Sequence, residues 1–325
     1  MPEMLYGKIP YVDKPVSRIV QGTVIIPEEK KGWLFQLLDG VFALGVNTFD
    51  TAANYGICES LLGEWVDSRQ LRDRVVIITK GGRQNQWRSR RITSFDIQAD
   101  FHDSLAKLRT DYVDIYILHI DNPETPAGPI VEVLNRLHDS GRLGAFGGSN
   151  WTHRRIAEAN EYAYKYGLMP FIVANPNYSL AEQVEDPWIG GCVTLSGPEN
   201  REAREWYREN QMPVFAYSSL ARGFFSGRIK STEEARAAEI FDKPTLKGYC
   251  HPVNFRRLER VEILAAEKGM TVPQVALAWI MHQPLNLFPL IGAMSPEEMA
   301  QNIAALHMPL TDTEAAWLNL ERDAR

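Results

Sequence analysis

Apolar residues along the chain fall into short runs separated by stretches of a different period. Runs rich in β-branched and apolar residues occur at 19–25, 47–51, 75–80 ("VVIITK"), 114–119 ("DIYILH"), 143–149, 171–175, 213–218 ("PVFAYS") and 288–292 ("FPLIG"). Near-continuous apolar strands of this kind suit a parallel sheet covered on both faces. Between them lie amphipathic stretches such as "SFDIQADFHDSLAKL", "GPIVEVLNRLHDSG", "HRRIAEANEYAYKYG" and "ENREAREWYRENQ", which predict helices. Strands alternating with helices in this number predict an α/β fold, a (β/α)8 TIM barrel, over an open doubly wound sheet. No G-x-G-x-x-G follows the first strand, which removes the main signal for the open alternative. No Gly/Ser or Pro tract divides the chain, so a single domain over residues 1–325 is expected. The longest irregular stretches, 178–200 and 221–255, both follow strands. In a barrel they would lie at the rim that holds active sites.

Composition narrows the function classes without choosing one. The chain has 325 residues, 45% apolar and 23% charged, with a net charge of −6 and both signs interspersed. That balance argues against a nucleic acid or an acidic membrane as the main partner. The opening "MPEMLYGKIPYVDKP" lacks the basic and apolar blocks of a signal peptide, and no apolar run is long enough to span a bilayer. The three cysteines, Cys58, Cys192 and Cys250, lie far apart without C-x-x-C spacing. Neither a metal site nor a disulfide framework is expected, and a reducing cytoplasmic compartment is.

The chemistry lies at the strand ends. In "NTFDTAANYG" Asp50 closes the second strand and Tyr55 sits in the loop behind it. Lys80 closes the third strand and His119 the fourth. Each alone has a structural explanation: a cap, a solvated charge, a turn-packing ring, a satisfied histidine. Gathered on one barrel rim, they suit proton donation to a carbonyl oxygen. A free phenol, with a pKa of about 10, is a poor acid near neutrality. An adjacent ammonium is expected to lower that value. Asp50 would hold Lys80 charged and in place, and a neutral His119 would orient the substrate oxygen.

At these residues the sequence resembles the aldo-keto reductase superfamily. "GVNTFDTAANYGICESLLGEWV" is similar to the family's first signature, with Asp50, Tyr55, Glu59 and Gly63 at the expected spacing. "VVIITKGG" supplies the lysine and "LRTDYVDIYILHID" the histidine segment. "GRLGAFGGSNWT" resembles the motif whose Ser149 and Asn150 would hold the nicotinamide carboxamide. "NPNYSL" aligns with a segment that usually reads Q-x-x-Y-S-L, so Asn175 stands in place of glutamine. In "VFAYSSLARGFFSG" Tyr217 would stack on the nicotinamide ring, with Ser218, Leu220 and Arg222 along the pyrophosphate. In "FPLIGAMSPEEMAQN" Gln301 and Asn302 would lie near adenine. The resemblance runs from about Leu5 to Leu306. It implies a carbonyl reductase that passes hydride from NADP(H), or from NAD(H), to a small-molecule carbonyl, with no metal.

Which dinucleotide is used depends on the adenosine end. The family's usual 2′-phosphate cations fall here on Gly292 or Met294 and on Glu298, none of which pairs with phosphate. Ser295 would serve a phosphate or a hydroxyl, and Arg222 or Arg228 would have to reach across from the long loop. A reduced NADPH preference follows as an expectation. Trp87, Trp151 and Trp188 follow strands on the catalytic rim and are expected to wall a substrate pocket. Arg83, Gln84 and Ser196 add polar capacity, a mixture leaning toward a sugar or polyol carbonyl. Two rival readings are a nicotinamide-sensing module with little turnover and a Schiff-base sugar lyase using Lys80.

Overall fold

The computed structural model describes residues 3–24, 31–83, 90–188 and 190–325. A short antiparallel hairpin, β1 (Tyr6–Gly7) and β2 (Val16–Ser17), precedes eight parallel strands. These are β3 (Val20–Gly22), β4 (Thr48–Asp50), β5 (Val76–Gly81), β6 (Val113–Leu118), β7 (Leu143–Ser149), β8 (Val173–Asn175), β9 (Val214–Ala216) and β10 (Leu287–Ile291). They close into a barrel in chain order, with β10 pairing β3. Every strand read from the apolar runs is present. The ends are trimmed where side chains take over the backbone. Residue 171, expected in a strand, has its N–H and C=O bound by the Asn160 amide at 2.8 and 3.4 Å.

Two apolar layers follow from strand alternation. Val20, Val76, Ile78, Ile115, Ile117, Val173, Phe215 and Phe288 fill the barrel interior, and Ile9 and Val16 of the hairpin region plug its base. Odd and even neighbours such as Phe49, Ile77, Tyr116, Phe146 and Ala174 face outward onto the helices. The hairpin was not read from the sequence, because two-residue strands carry no period.

Helices cover the barrel, among them Ser94–Leu108, Ala127–Asp139, His153–Lys165 and Arg201–Asn210, within two residues of their patterns. Thr93 and Thr152 cap the first and third by accepting from backbone N–H groups three residues on. Gly63 lets Cys58–Ser68 approach the end of Ser94–Leu108: a Cβ there would lie 2.5 Å from the Leu108 backbone. The stretch 221–255 is not irregular throughout. It contains short helical turns at Ala221–Gly223, Glu234–Arg236, Ala237–Ile240 and Lys243–Tyr249, then the start of Pro252–Lys268. Among the described residues no helix is long and apolar enough to cross a membrane.

Candidate active site

Alternation also decides what reaches the mouth. Val76 and Ile78 point into the barrel, so Lys80 does too; Ile115 and Ile117 place His119 on the same parity. By the same count Asp50, Ser149, Asn175 and Tyr217 lie on the inward parity at or just past their strand ends. Inward residues at the C-terminal ends of neighbouring strands converge, as this fold requires of catalytic groups.

The central contact is a buried ion pair. Lys80 Nζ donates to Asp50 Oδ1 and to the Thr51 carbonyl at 3.0 Å. The two side chains are only 2% and 5% exposed. Burial works to lower the Lys80 pKa, but Asp50, with a contribution from Tyr55, holds it above its ordinary value. The ammonium lies 5.2 Å from the Tyr55 ring centroid, close enough for its charge to act on the phenol. The Tyr55 and His119 rings meet edge to face, with centroids 5.7 Å apart at 79°.

One sequence-level expectation is corrected here. Burial raises the Tyr55 phenol above its ordinary value; Lys80 pulls it down but does not prevail, and Asp50 adds to the rise. The reason is desolvation, which disfavours phenolate more than one already neutralised ammonium favours it. Tyr55 is therefore held as a phenol, and Lys80 limits the cost of losing its proton. His119 is pushed well below its ordinary value by burial, then by Lys80 and Arg83, so its imidazole is neutral. Its Nδ1 is buried with no hydrogen-bond partner among the described residues.

Around this centre the amides form a scaffold. Asn150, in left-handed backbone at φ 55°, donates to the His119 carbonyl at 3.1 Å and to Ser149 Oγ at 3.3 Å. Its Oδ1 accepts from the Tyr217 hydroxyl at 2.8 Å and from Val193 N–H at 3.2 Å. Ser149 Oγ donates to the Asn175 carbonyl at 2.8 Å, and the Asn175 amide donates to the Phe215 carbonyl. Asn177 braces the same loop, donating to the Tyr217 carbonyl at 3.2 Å and the Tyr249 hydroxyl at 2.9 Å. Nothing in the spacing of the sequence singled out Asn177. Cys192 contacts Tyr217, and burial, aided by Asp186, pushes its thiol up to about 12. Among the described residues no His, Cys, Asp or Glu cluster could hold a metal.

The remaining residues expected at a dinucleotide divide into two groups. Ser218, Ala221 and Arg222 all have positive φ (52°, 49° and 54°), with half-buried Leu220 between them. Such strain in non-glycine residues concentrates at functional loops. Arg222 donates to Asp242 at 2.6 Å and lies 4.4 Å over the Trp188 ring. Arg228 donates to Ser226 at 3.0 Å and sits 5.2 Å over Phe241, so both arginines have local partners. At the adenosine end, Gly292 and Gln301 are exposed, Ser295 is half-buried and Asn302 is buried. The Nδ2 of Asn302 is buried with no partner among the described residues.

Ser295 and Glu298 are joined at the start of the helix Pro296–Ala305. Ser295 Oγ accepts from Glu298 N–H at 3.2 Å, and the Glu298 carboxylate turns back to accept from Met294 N–H at 2.8 Å. Ser295 thus caps the helix, and the Glu298 carboxylate, held by the N–H that precedes the cap, puts a negative charge at the positive end of the helix. The sequence reading did not foresee the serine cap.

Of the tryptophans, Trp151 must be corrected. It is 1% exposed and packs outside the barrel, on Phe171 with centroids 5.0 Å apart and under Arg155. Gly148, on the outward parity of β7, opens the slot: a Cβ there would lie 2.5 Å from the indole. Trp188 is 36% exposed with one face covered by Arg222, which ties it to the loop that carries Arg222. Trp87 and Gln84 lie outside the described residues. Ser196 is 3% exposed, and its hydroxyl is spent on Ser179, donating to the carbonyl at 2.8 Å.

Comparison with known proteins agrees with this arrangement. Norsolorinic acid reductase B of Dothistroma septosporum is 28% identical over 299 residues, covering 88% of this chain and 71% of that protein. The uncharacterized oxidoreductase YrpG of Bacillus subtilis is 27% identical over 326 residues, covering 94% and 91%. An NADP(+) aryl-alcohol dehydrogenase of Phanerodontia chrysosporium is 27% identical over 312 residues, covering 88% and 74%. The family model described as Aldo/keto reductase family matches residues 23–319, nearly the full barrel, and the chain belongs to that family.

Proposed function

We propose that this oxidoreductase reduces an aldehyde or ketone to an alcohol, with NADP(H) as its nominal dinucleotide and NAD(H) appreciably used. The observation that carries the reading is the convergence of Tyr55 and a neutral His119 beside the buried Lys80–Asp50 pair. The dinucleotide would supply hydride to the carbonyl carbon. Its nicotinamide would lie against Tyr217, near Ser149, Asn150 and Asn175, its pyrophosphate along Ser218, Leu220 and Arg222. The adenosine would rest by Gly292, Ser295, Gln301 and Asn302, where the unpartnered Asn302 amide supports the fit.

The protein's part is proton and charge. His119 and the Tyr55 hydroxyl both donate to the substrate oxygen, positioning it. As charge develops on that oxygen, Tyr55 releases its proton to it, and Lys80 stabilises the phenolate left behind. Asp50 keeps Lys80 in place. A raised Lys80 pKa opposes the Schiff-base alternative, which requires a neutral amine.

The sugar or polyol reading loses support, since Trp151 lies outside the barrel and Trp188 has one face covered. Several relatives are named aryl-alcohol dehydrogenases, which favours aryl carbonyls over sugars. A carbonyl panel with both dinucleotides tests the reading, paired with Tyr55→Phe. That variant loses about 10²–10⁴-fold in kcat and keeps its cofactor affinity by fluorescence quenching. Retention of more than about a tenth of turnover would remove Tyr55 as the acid. Failure of the unmodified protein to turn over any carbonyl repeatedly would favour the sensing module.

A further inference from the structure

Arg83 stands apart among the basic groups of this rim. Lys80 is answered by Asp50, Arg91 by Asp96 and Asp100, Arg155 by Asp121, and Arg222 by Asp242. Arg83 is half-buried and has no hydrogen bond, ion pair or ring contact among the described residues. Its backbone is nevertheless fixed. It follows Gly82, at φ 76°, whose N–H is held by Asp100 Oδ2 at 2.9 Å. The other oxygen of Asp100 takes Arg91 at 2.7 Å, so the charge of this acid is already answered by an arginine. Arg83 lies three residues past Lys80 at the end of β5, on the catalytic rim, and its charge is felt at Tyr55 and His119, the two groups assigned to the carbonyl oxygen.

The mouth thus offers two donors for a carbonyl oxygen and a cation that no acid answers among the described residues. We propose that Arg83 selects carbonyl substrates bearing an anionic group, a carboxylate or a phosphate, a few bonds from the carbonyl. The selection rests on the reduction assigned to Tyr55. A half-buried guanidinium gains most from a planar or tetrahedral oxyanion that accepts two of its N–H groups.

The test uses matched pairs: benzaldehyde with 4-carboxybenzaldehyde, and glyceraldehyde with glyceraldehyde 3-phosphate. The two pairs separate a carboxylate source from a phosphate source. The readout is the charged-to-neutral ratio of kcat/KM, in which any effect of Arg83 on Tyr55 itself cancels. Arg83→Gln should lower that ratio about 10- to 100-fold in at least one pair. Arg83→Lys, which keeps the charge, should recover part of it and guards against a misfolded glutamine variant. A second readout is calorimetric binding of benzoate against benzamide to the NADP⁺-loaded protein. Benzoate should bind the unmodified protein more tightly than Arg83→Gln, and benzamide should not discriminate. If no aldehyde is turned over, the reductase reading fails while the benzoate comparison still judges Arg83. Unmoved ratios in both pairs, or equal benzoate binding by the two proteins, would overturn the assignment.

Discussion

Removing one member of the Lys80–Asp50 pair should destabilise the protein more than removing both. The side chains are 2% and 5% exposed, so water cannot replace a lost partner. Asp50→Asn leaves the ammonium with neutral acceptors, the Thr51 carbonyl and the amide oxygen that replaces the carboxylate. Lys80→Met leaves a carboxylate buried without a cation. Breaking such a pair from either side costs about 3–5 kcal/mol, whereas replacing both partners removes both desolvation penalties. The double variant should therefore be no less stable than the worse single one. Additivity should fail by about 3 kcal/mol or more.

Urea unfolding of the four proteins at pH 7 measures the cycle. The pH dependence is a second check. Because the folded Lys80 pKa lies above its ordinary value, the contribution is fully present below about 10.5 and is lost as pH rises through the folded value. The stability gap between the unmodified protein and Lys80→Met should thus hold through neutrality and narrow only in strong base. Additivity within about 0.5 kcal/mol would refute the reasoning. Activity follows another order: Lys80→Met should lose more turnover than Asp50→Asn, since the second keeps the cation beside Tyr55.

The remaining predictions are quicker to state. His119 is held neutral in the fold, so the unfolded chain takes up the proton first and stability falls as pH drops below about 6.5. His119→Gln should flatten that part of the stability–pH curve; an unchanged acid limb would contradict a buried neutral imidazole. Glu298→Gln should raise the NADPH-over-NADH ratio of kcat/KM, and Glu298→Arg should raise it about 10- to 100-fold through a charge-assisted bond to the 2′-phosphate. A ratio already in the thousands in the unmodified enzyme would show that another cation reads the phosphate. Trp151→Ala should cost about 3–5 kcal/mol in unfolding free energy while leaving relative rates across an aldehyde panel unchanged; a selectivity change would return Trp151 to the substrate.

What could be read from the sequence, and what could not, separates along physical lines. Asp50, Lys80 and His119 were legible because an ionisable residue ending an apolar strand has a position fixed by period two and by the barrel itself. No contact needed to be known. Trp151 was misread by the same logic carried one step too far. Following a rim strand places the backbone at the mouth, but the missing side chain of Gly148 lets the indole fall back onto the outer wall. The direction of the Tyr55 pKa failed for a related reason. The cation beside the phenol was visible in the motif, but the depth of burial, which outweighs that cation, was not.

Glu298 joins these two cases. It was read as a residue that cannot pair with phosphate, yet Ser295 caps the helix through the Glu298 N–H while the Glu298 carboxylate accepts from Met294 N–H. The carboxylate is turned to the helix start by the Met294 N–H. A substitution that removes the cap's serine, Ser295→Ala, should release Glu298 and loosen its hold on dinucleotide choice. The loss of this cap should also cost about 0.5–2 kcal/mol in stability. If the NADPH-over-NADH ratio is the same in Ser295→Ala as in the unmodified enzyme, the cap does not aim the carboxylate at the site.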